Sequence, residues 1–502
     1  MSSNSGTIIN RTNETSPFFN ALKSRNSKSL PELYSQEINT EPAAQSRVEV
    51  ESSSNPGYNR TMRIELPRYG VLNRLYLHST FSAAAGTHAV AAYCTNVQNI
   101  GAVMFNECRI VYNGATIAKL SNEGIISDLY KHSGDNEIEK LVELLGGHEG
   151  PGVATVDARY KDHSTAANLD ADPNTAVNGV LPKHSVNPCQ RSITPQDFYC
   201  PLDFWFSAKH SPNRGLDCSV LSSPIFLEVD VQAQSKLWVQ QGTALTLPTL
   251  TNLQAICYLT EFDPEVEKQF RSITYAPGGA PLTQIGYQEE HVVVATNQTL
   301  SASADTVVEV KLNQFSGNVY KLVVYAQNSA GLAIAGLMSS VRPLSIKEIQ
   351  LKATGTNIYN ADQLGDKESI LNSYHDGGRF VGARGMFATA GNAQPVHLAD
   401  KCMIVGDHFY ELNFKKPYDY SKVSASGSVS MGQLSVPSLR VVLNESDQGA
   451  FAFGSPGTGA STLNPAGAVA ANVDIHVIAY STALMSYQTN TSGSTNIRMI
   501  QN

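Results

Sequence analysis

From Thr61 onward, short apolar runs of Val, Ile, Leu and aromatic residues alternate with clusters of Gly, Pro, Asn and Ser. That patterning is the signature of antiparallel strands joined by turns. Helical periodicity occurs in three places. The first is Ile125–Leu145, broken near Ser133-Gly134-Asp135. The second is Pro264–Ile273, where Asp263 is placed to cap and Pro264 takes the first helical position. The third is Asp366–Tyr374. Before the strands begin, a Ser/Asn-rich segment ends in Glu51-Ser52-Ser53-Ser54-Asn55-Pro56-Gly57. Its lack of periodicity reads as an extended arm, although Phe18, Phe19, Leu30, Leu33 and Tyr34 supply apolar anchors.

The pattern repeats. Glu107–Ile117, which contains Tyr112-Asn113-Gly114-Ala115, lines up with Glu348–Ile358, 241 positions later. Ile126, Tyr130 and Gly134 answer Ile370, Tyr374 and Gly378. Leu202-Asp203-Phe204 answers Leu412-Asn413-Phe414, and Pro224-Ile225-Phe226 answers Pro437-Ser438-Leu439. The closing match is Asn252–Ile256 against Asn472–His476. Short strands resemble one another by chance, but five matches in one order indicate an internal duplication. Two similar β-sandwiches joined near the 264–273 helix follow from it. The first copy carries an additional loop, about Gly146 to Gln196, rich in Gly, Pro, His, Asn and Asp.

Length agrees, since 502 residues suit two or three domains with cores of their own. Charged residues make up 16% and the net charge is −8, so the chain offers no overall basic field for wrapping nucleic acid. The seven cysteines form no CxxC pair, and several lie within apolar runs. Neither a disulfide framework nor a zinc ribbon is suggested, and a reducing compartment during folding is the simplest reading. The N-terminus lacks the basic and apolar regions of a secretory signal, and no apolar stretch is long enough to span a bilayer.

Candidate chemistry is scarce. Gly454–Ser461 has the glycine spacing of a phosphate loop, but Ala460 stands where the lysine must reach the phosphates. Asp170-Ala171-Asp172-Pro173-Asn174 starts like a calcium loop and then fails, with Thr175 and Leu181 at the glycine and glutamate positions. His132, His148, His163, His184 and His210 share no metal-binding spacing and read as solvated loop residues. No GxSxG elbow occurs. Arg342 and Lys347 flank Leu344-Ser345-Ile346 without an interleaved aromatic, which describes a solvated strand face better than a nucleic-acid site. The reading is of a structural protein with no catalytic residues, no cofactor and no metal.

Several segments resemble the double jelly-roll major capsid proteins of nucleocytoplasmic large DNA viruses, virophages and polinton-like viruses. Cys108–Ser133 is similar to that family's strand, tight turn and short helix, with Asn113-Gly114 in place of a double glycine. Pro201–Phe206 followed by Pro224–Val229 resembles its strand pair, and Tyr258-Leu259-Thr260-Glu261 its inter-barrel link. Arg342–Glu348 and Ser424–Met431 resemble elements of its second barrel.

The resemblance, spanning about residues 60 to 490, implies an all-β fold of two tandem eight-stranded jelly rolls with a few short helices and an N-terminal arm. Its division is an arm over 1–57, a first jelly roll over 58–263, a linker with a short helix over 264–280 and a second jelly roll over 281–502. The implied function is a major capsid protein forming pseudo-hexagonal homotrimers that tile an icosahedral shell. Implied partners are further copies, minor capsid or cement proteins, penton proteins and, through the arm, an internal membrane, without sequence-specific nucleic-acid binding. The implied locations are the virion and, during assembly, the host cytoplasm. A tandem carbohydrate-binding sandwich is the alternative, expected to show exposed aromatics with Asp/Asn ligands at its loop ends, whereas Trp205 and Trp238 lie in strand-like runs.

Overall fold

The computed structural model describes residues 43–86, 93–97, 99–132, 144–146, 195–207, 215–241, 245–262, 282–300, 304–315, 317–329, 343–344, 346–353, 356–361, 387–388, 396–397, 409–415, 427–443, 472–491 and 494–501, with single positions between 264 and 275. In the first half, β1 (Ala43–Glu51), β2 (Arg60–Glu65), β3 (Val71–Phe81), β4 (Tyr93–Asn96), β5 (Phe105–Tyr112) and β6 (Ala115–Ser121) come first. They are followed by β7 (Gln196–Pro201), β8 (Leu216–Asp217), β9 (Ile225–Val231), β10 (Trp238–Gln241) and β11 (Leu250–Phe262). Helices α1 (Ile100–Val103), α2 (Asn122–His132) and α3 (Gln234–Leu237) interrupt them.

The second half begins with β12 (Leu282–Thr299), β13 (Thr306–Lys311), β14 (Asn318–Asn328), β15 (Pro343–Leu344), β16 (Ile346–Ala353) and β17 (Thr356–Ala361). It continues with β18 (Phe387–Ala388), β19 (Val396–His397), β20 (Tyr410–Asn413), β21 (Val429–Ser430), β22 (Ser438–Leu443), β23 (Asn472–Thr489) and β24 (Thr495–Gln501).

Alternation builds each strand. In β9, Ile225, Leu227, Val229 and Val231 point into the core while Phe226, Glu228 and Asp230 face outward. The β5–β6 hairpin closes through Asn113 and Gly114, both at positive φ (51° and 75°), as a two-residue type I′ turn requires. Asparagine tolerates that conformation and glycine adopts it freely, so the pair suits the turn.

The two halves share one topology. Eight principal strands of the first half, in chain order, are β1, β2, β3, β5, β6, β7, β9 and β11. They form two facing antiparallel sheets, β1-β11-β3-β7 and β2-β9-β5-β6. By chain order these run 1-8-3-6 and 2-7-4-5. In the second half the corresponding strands are β12, β13, β14, β16, β17, β20, β22 and β23. Their sheets are β12-β23-β14, with β20 paired on β14, and β13-β22-β16-β17. The permutation is the same. Buried apolar side chains of both sandwiches form one continuous core, from Met62 to Ile497.

Matches in four of the five duplicated segments fall on or directly beside corresponding strands, Leu202-Asp203-Phe204 following β7 where Leu412-Asn413 lie on β20; the remaining one runs through 133–134 and 370–378, outside the described residues. The third and the closing match disagree by two, since Leu202 against Leu412 sets Ile256 opposite Ile478 through Tyr76 and Val323 while the closing match sets it opposite His476. Another of the four is out of register by a residue. Ile110 corresponds to Leu351; Leu227 pairs with the first and Leu439 with the second, so Ile225 answers Pro437 rather than Ser438. The matching prolines had suggested otherwise, but a one-residue slip would turn Phe226 and Leu439, which face opposite ways, onto one face. A second difference concerns the segment read as an arm. Ala43–Glu51 is a strand, pairing with β11 along its whole length. It is an edge strand whose outward Arg47, Glu49 and Glu51 dilute the apolar signal of Val48 and Val50. The helix predicted over Ile125–Leu145 is realised as α2, with 133–143 outside the described residues. Pro264–Ile273 and Asp366–Tyr374 lie mostly or wholly outside them.

Candidate assembly core: the seam between the sandwiches

Among the described residues, three contact zones fasten one sandwich to the other. At the first, the C-terminal strand β24 pairs with β23 and forms a parallel bridge from Thr495 to Leu221 of the first sandwich. Ser222 N–H donates to the Thr495 carbonyl at 3.0 Å. Asn496 Oδ1 accepts from Tyr112 at 3.0 Å and from Ser222 at 2.8 Å. At the second, Trp205 Nε1 donates to Gln284 Oε1 at 3.2 Å, and Gln284 Nε2 donates back to the Gly215 carbonyl at 3.2 Å. The Tyr287 hydroxyl donates to the Asp203 carbonyl beside them.

The third zone is charged and centres on α2. Ser121 precedes this helix and caps it, its Oγ accepting from Gly124 N–H at 3.1 Å. From the second sandwich Glu289, 1% exposed, accepts from Ser121 N–H at 2.8 Å and from the Ser121 hydroxyl. A carboxylate at a helix N-terminus meets unsatisfied N–H groups and the positive end of the dipole, so the burial of Glu289 is compensated. One turn further on, Asp128 of α2 lies 3.2 Å from Lys321 Nζ of β14, and Glu411 of β20 lies 3.4 Å from the same nitrogen. The ammonium also stands 4.4 Å from the centre of the Tyr480 ring. The buried cation sits between two carboxylates, one from each sandwich; Lys321 and Glu411 stay together in the second sandwich, and Asp128 reaches across to complete the site, so that separating the halves would strip Asp128 of its cation.

Beside this triad lies an imidazole pair. His291 Nδ1 of β12 is 3.6 Å from Glu123 of α2, and its Nε2 faces His476 Nδ1 of β23 at 3.1 Å. The Tyr325 hydroxyl lies 3.4 Å from His291, and the Tyr325 ring stacks on His476 with centroids 4.6 Å apart. Burial lowers the basicity of both histidines, taking His476 down to about 3, with the neighbouring His291 adding to the effect. Burial pushes the Glu123 carboxyl the other way, up to about 7. At neutral pH the imidazole pair is therefore uncharged.

No motif in the sequence announced this seam. Its one local signal is Lys321 alone in the apolar run Val319–Ala326. The residues singled out in the sequence have other places. Trp205 and Trp238 are 0% and 5% exposed, so neither presents a ring for stacking against a sugar. Trp238 Nε1 instead donates to the Tyr58 hydroxyl at 3.1 Å. Gly454–Ser461, Asp170–Leu181, Arg342 and the histidines at 148, 163, 184 and 210 lie outside the described residues, as does the side chain of His132; Lys347 is described only as backbone within β16. Among the described residues no group of three or more His, Cys, Asp or Glu is placed to hold a metal ion. Cys94, Cys108, Cys200, Cys218 and Cys257 are buried free thiols, and desolvation pushes Cys257 up to about 12.

No protein-family model and no curated protein matches the chain. Solved structures do match its fold. VP54 of PBCV-1, fitted into a reconstruction of the virophage Sputnik, superposes with a TM-score of 0.56 at 11% identity, over 91% of this chain and 97% of that one. The Faustovirus major capsid protein gives 0.51 at 12% identity, over 88% and 90%. A chain of the Sputnik virophage gives 0.53 at 10% identity, over 92% and 89%. The fold is a double jelly roll. Coverage of about nine-tenths on both sides means that both jelly rolls fall within the match. The seam just described is thus the internal joint of a double jelly roll, and α2, following the fifth strand of the first roll, is its pivot.

Proposed function

We propose that this chain is the major capsid protein of a double-stranded DNA virus, a homotrimer of pseudo-hexagonal outline whose copies tile an icosahedral shell. The observation that carries the reading is the fusion of two jelly rolls of identical strand order into one block through a buried, charge-compensated seam. A block of two like units gives six like units under threefold symmetry, and a near-hexagonal tile fills a flat lattice. Viral capsid proteins share that fold over nearly the whole chain. The buried tryptophans give the carbohydrate-binding alternative no support. The same reading places the protein in the virion, with neighbouring capsomers and minor capsid proteins as partners and the N-terminal segment turned toward the shell interior.

Sedimentation and negative-stain microscopy of the purified full chain test the proposal. Stable trimers with a hexagonal outline at micromolar concentration are expected. A folded, persistent monomer would count decisively against it.

A further inference from the structure

Lysine is rarely buried, yet Lys321 is 5% exposed. Strand register sets its surroundings. On β14 it stands opposite Tyr480 of β23 on one side and Asn413 of β20 on the other. Glu411, two residues before Asn413, shares that face and lies diagonal to Lys321, within reach of a long side chain. Asp128 meets the same nitrogen from α2, whose start Glu289 holds at Ser121. Nζ lies 3.2 Å from Asp128 Oδ1 of one sandwich and 3.4 Å from Glu411 Oε1 of the other, with the Tyr480 ring over it. In the next row Val323 and Ile478 are fully buried, so the nitrogen is shielded from bulk water. An amine, a carboxyl in contact with it and a second carboxyl to carry protons are the reactants of an amide bond.

We propose that Lys321 and Asp128 condense, with Glu411 as the base, so that each chain closes an amide bond across its own seam. No partner copy is needed, and the bond stands apart from the capsid reading. Passing one ammonium proton to Asp128 turns an ion pair into a neutral amine facing a neutral carboxylic acid, which a desolvated site favours over two charges. Nζ then bonds to Asp128 Cγ while Glu411 takes a second proton from the nitrogen. The Cγ–OH bond breaks, and the oxygen leaves with that second proton as water. One proton stays on the amide nitrogen, Glu411 ends ionised as it began, and nothing is oxidised or reduced.

Position decides which carboxyl is the acceptor. Asp128 is the nearer to Nζ and keeps a partly exposed edge, which gives water a way out, whereas Glu411 is held deeper. Holding amine and carboxyl at contact distance removes most of the entropy that their meeting would otherwise cost. The two residues are 193 positions apart, so the bond closes a long loop and strongly constrains the unfolded chain. The described cysteines are free thiols and make no such tie. An amide, unlike a disulfide, also persists in a reducing compartment.

Mass spectrometry of the purified full chain, denatured and reduced, tests the bond. Wild type is expected one water lighter than its sequence requires, and Lys321→Arg at its full mass. Asp128→Asn should lose ammonia instead and reach the same mass as closed wild type, because both routes end in one amide. Glu411→Gln, folded by circular dichroism, should close about a hundredfold more slowly or not at all. Trypsin then locates the bond: peptide 120–131 should be joined to peptide 312–347, since a modified Lys321 is not cut. Wild type at its full sequence mass would overturn the inference. So would a water lost within peptide 120–131 alone, the mark of a cyclic imide, or a link from Lys321 to Glu411. A folded Glu411→Gln chain that closes at the wild-type rate would overturn the assignment of the base. The wild-type peptide map decides the bond itself even where a variant fails to fold.

Discussion

His291 and His476 can share the seam only as neutral imidazoles, because two protonated rings 3.1 Å apart with little water would repel. Glu123, 20% exposed beside them, is displaced in the opposite sense. The two displacements act on stability from opposite ends of the pH scale. A histidine whose folded pKa lies near 3 contributes stability present above its ordinary value of 6.5, lost as acid drives the pH down through the folded value. A carboxyl raised from 4.5 to about 7 contributes stability present below 4.5, lost as the pH climbs through 7. Unfolding free energy should therefore decline on both sides, and Glu123→Gln should remove only the alkaline decline. Measured by urea unfolding from pH 5 to pH 8, the variant should gain about 2–3 kcal/mol on wild type across that range. A difference that stays constant with pH would show that Glu123 does not titrate within the seam.

Helix α2 is held by its first turn, where the backbone of Gly124 passes directly under the Glu289 carboxylate. A Cβ at that position would collide with Glu289 Oε1 and with the carbon that carries it. In an open helix, replacing glycine by alanine stabilises by about 1 kcal/mol. Here the sign should reverse: Gly124→Ala should lower the unfolding free energy by about 2 kcal/mol, in the range of overpacking at a buried contact. Gly124→Ala/Glu289→Ala should remove the collision and show a non-additive double-mutant cycle. Additive losses would mean that the two positions do not touch. Elements such as the β5–β6 hairpin were legible in the sequence because Asn113-Gly114 carries its own conformational signal, independent of anything distant. The register of β22 was not, because the proline match between Pro224 and Pro437 is a letter coincidence while the pleat follows Leu227 and Leu439. Strand β1 was hidden for a related reason. Its partner, β11, lies some two hundred residues on, and its outward charges resemble those of a solvated tail. The seam was least visible of all, since Glu289, Lys321, Glu411 and His476 come from four strands and acquire meaning only when the sheet sets them side by side.

At the scale of the whole molecule, the duplicated topology sorts the chain into parts that the two sandwiches share and parts that belong to one alone. The seam uses both, since β12, β14, β20 and β23 have counterparts in the first sandwich while β24 stands outside the eight shared strands; the apolar anchors Phe18, Phe19, Leu30, Leu33 and Tyr34 belong to the segment ahead of β1, with Lys23, Arg25 and Lys28 among them. Because β1 lies at the sheet edge and pairs from Ala43 onward, that segment is delivered at the Ala43 end of the first sandwich, beside Phe262, where β11 leads on toward the second. Too few apolar residues are present for it to bury a core of its own, so its ordering must come from a surface supplied by something else. Spaced aromatics with interleaved positive charge suit a neighbouring subunit, a minor protein or an anionic membrane face. In the capsid reading that surface becomes continuous only when trimers join, which predicts a difference between free and assembled protein. Limited trypsin digestion should cut at Lys23, Arg25 or Lys28 readily in free trimers and at least tenfold more slowly in closed shells, while the sandwiches stay intact in both. Equal cleavage rates in the two states would sink the idea that the segment is ordered by assembly and would leave it a solvated tail.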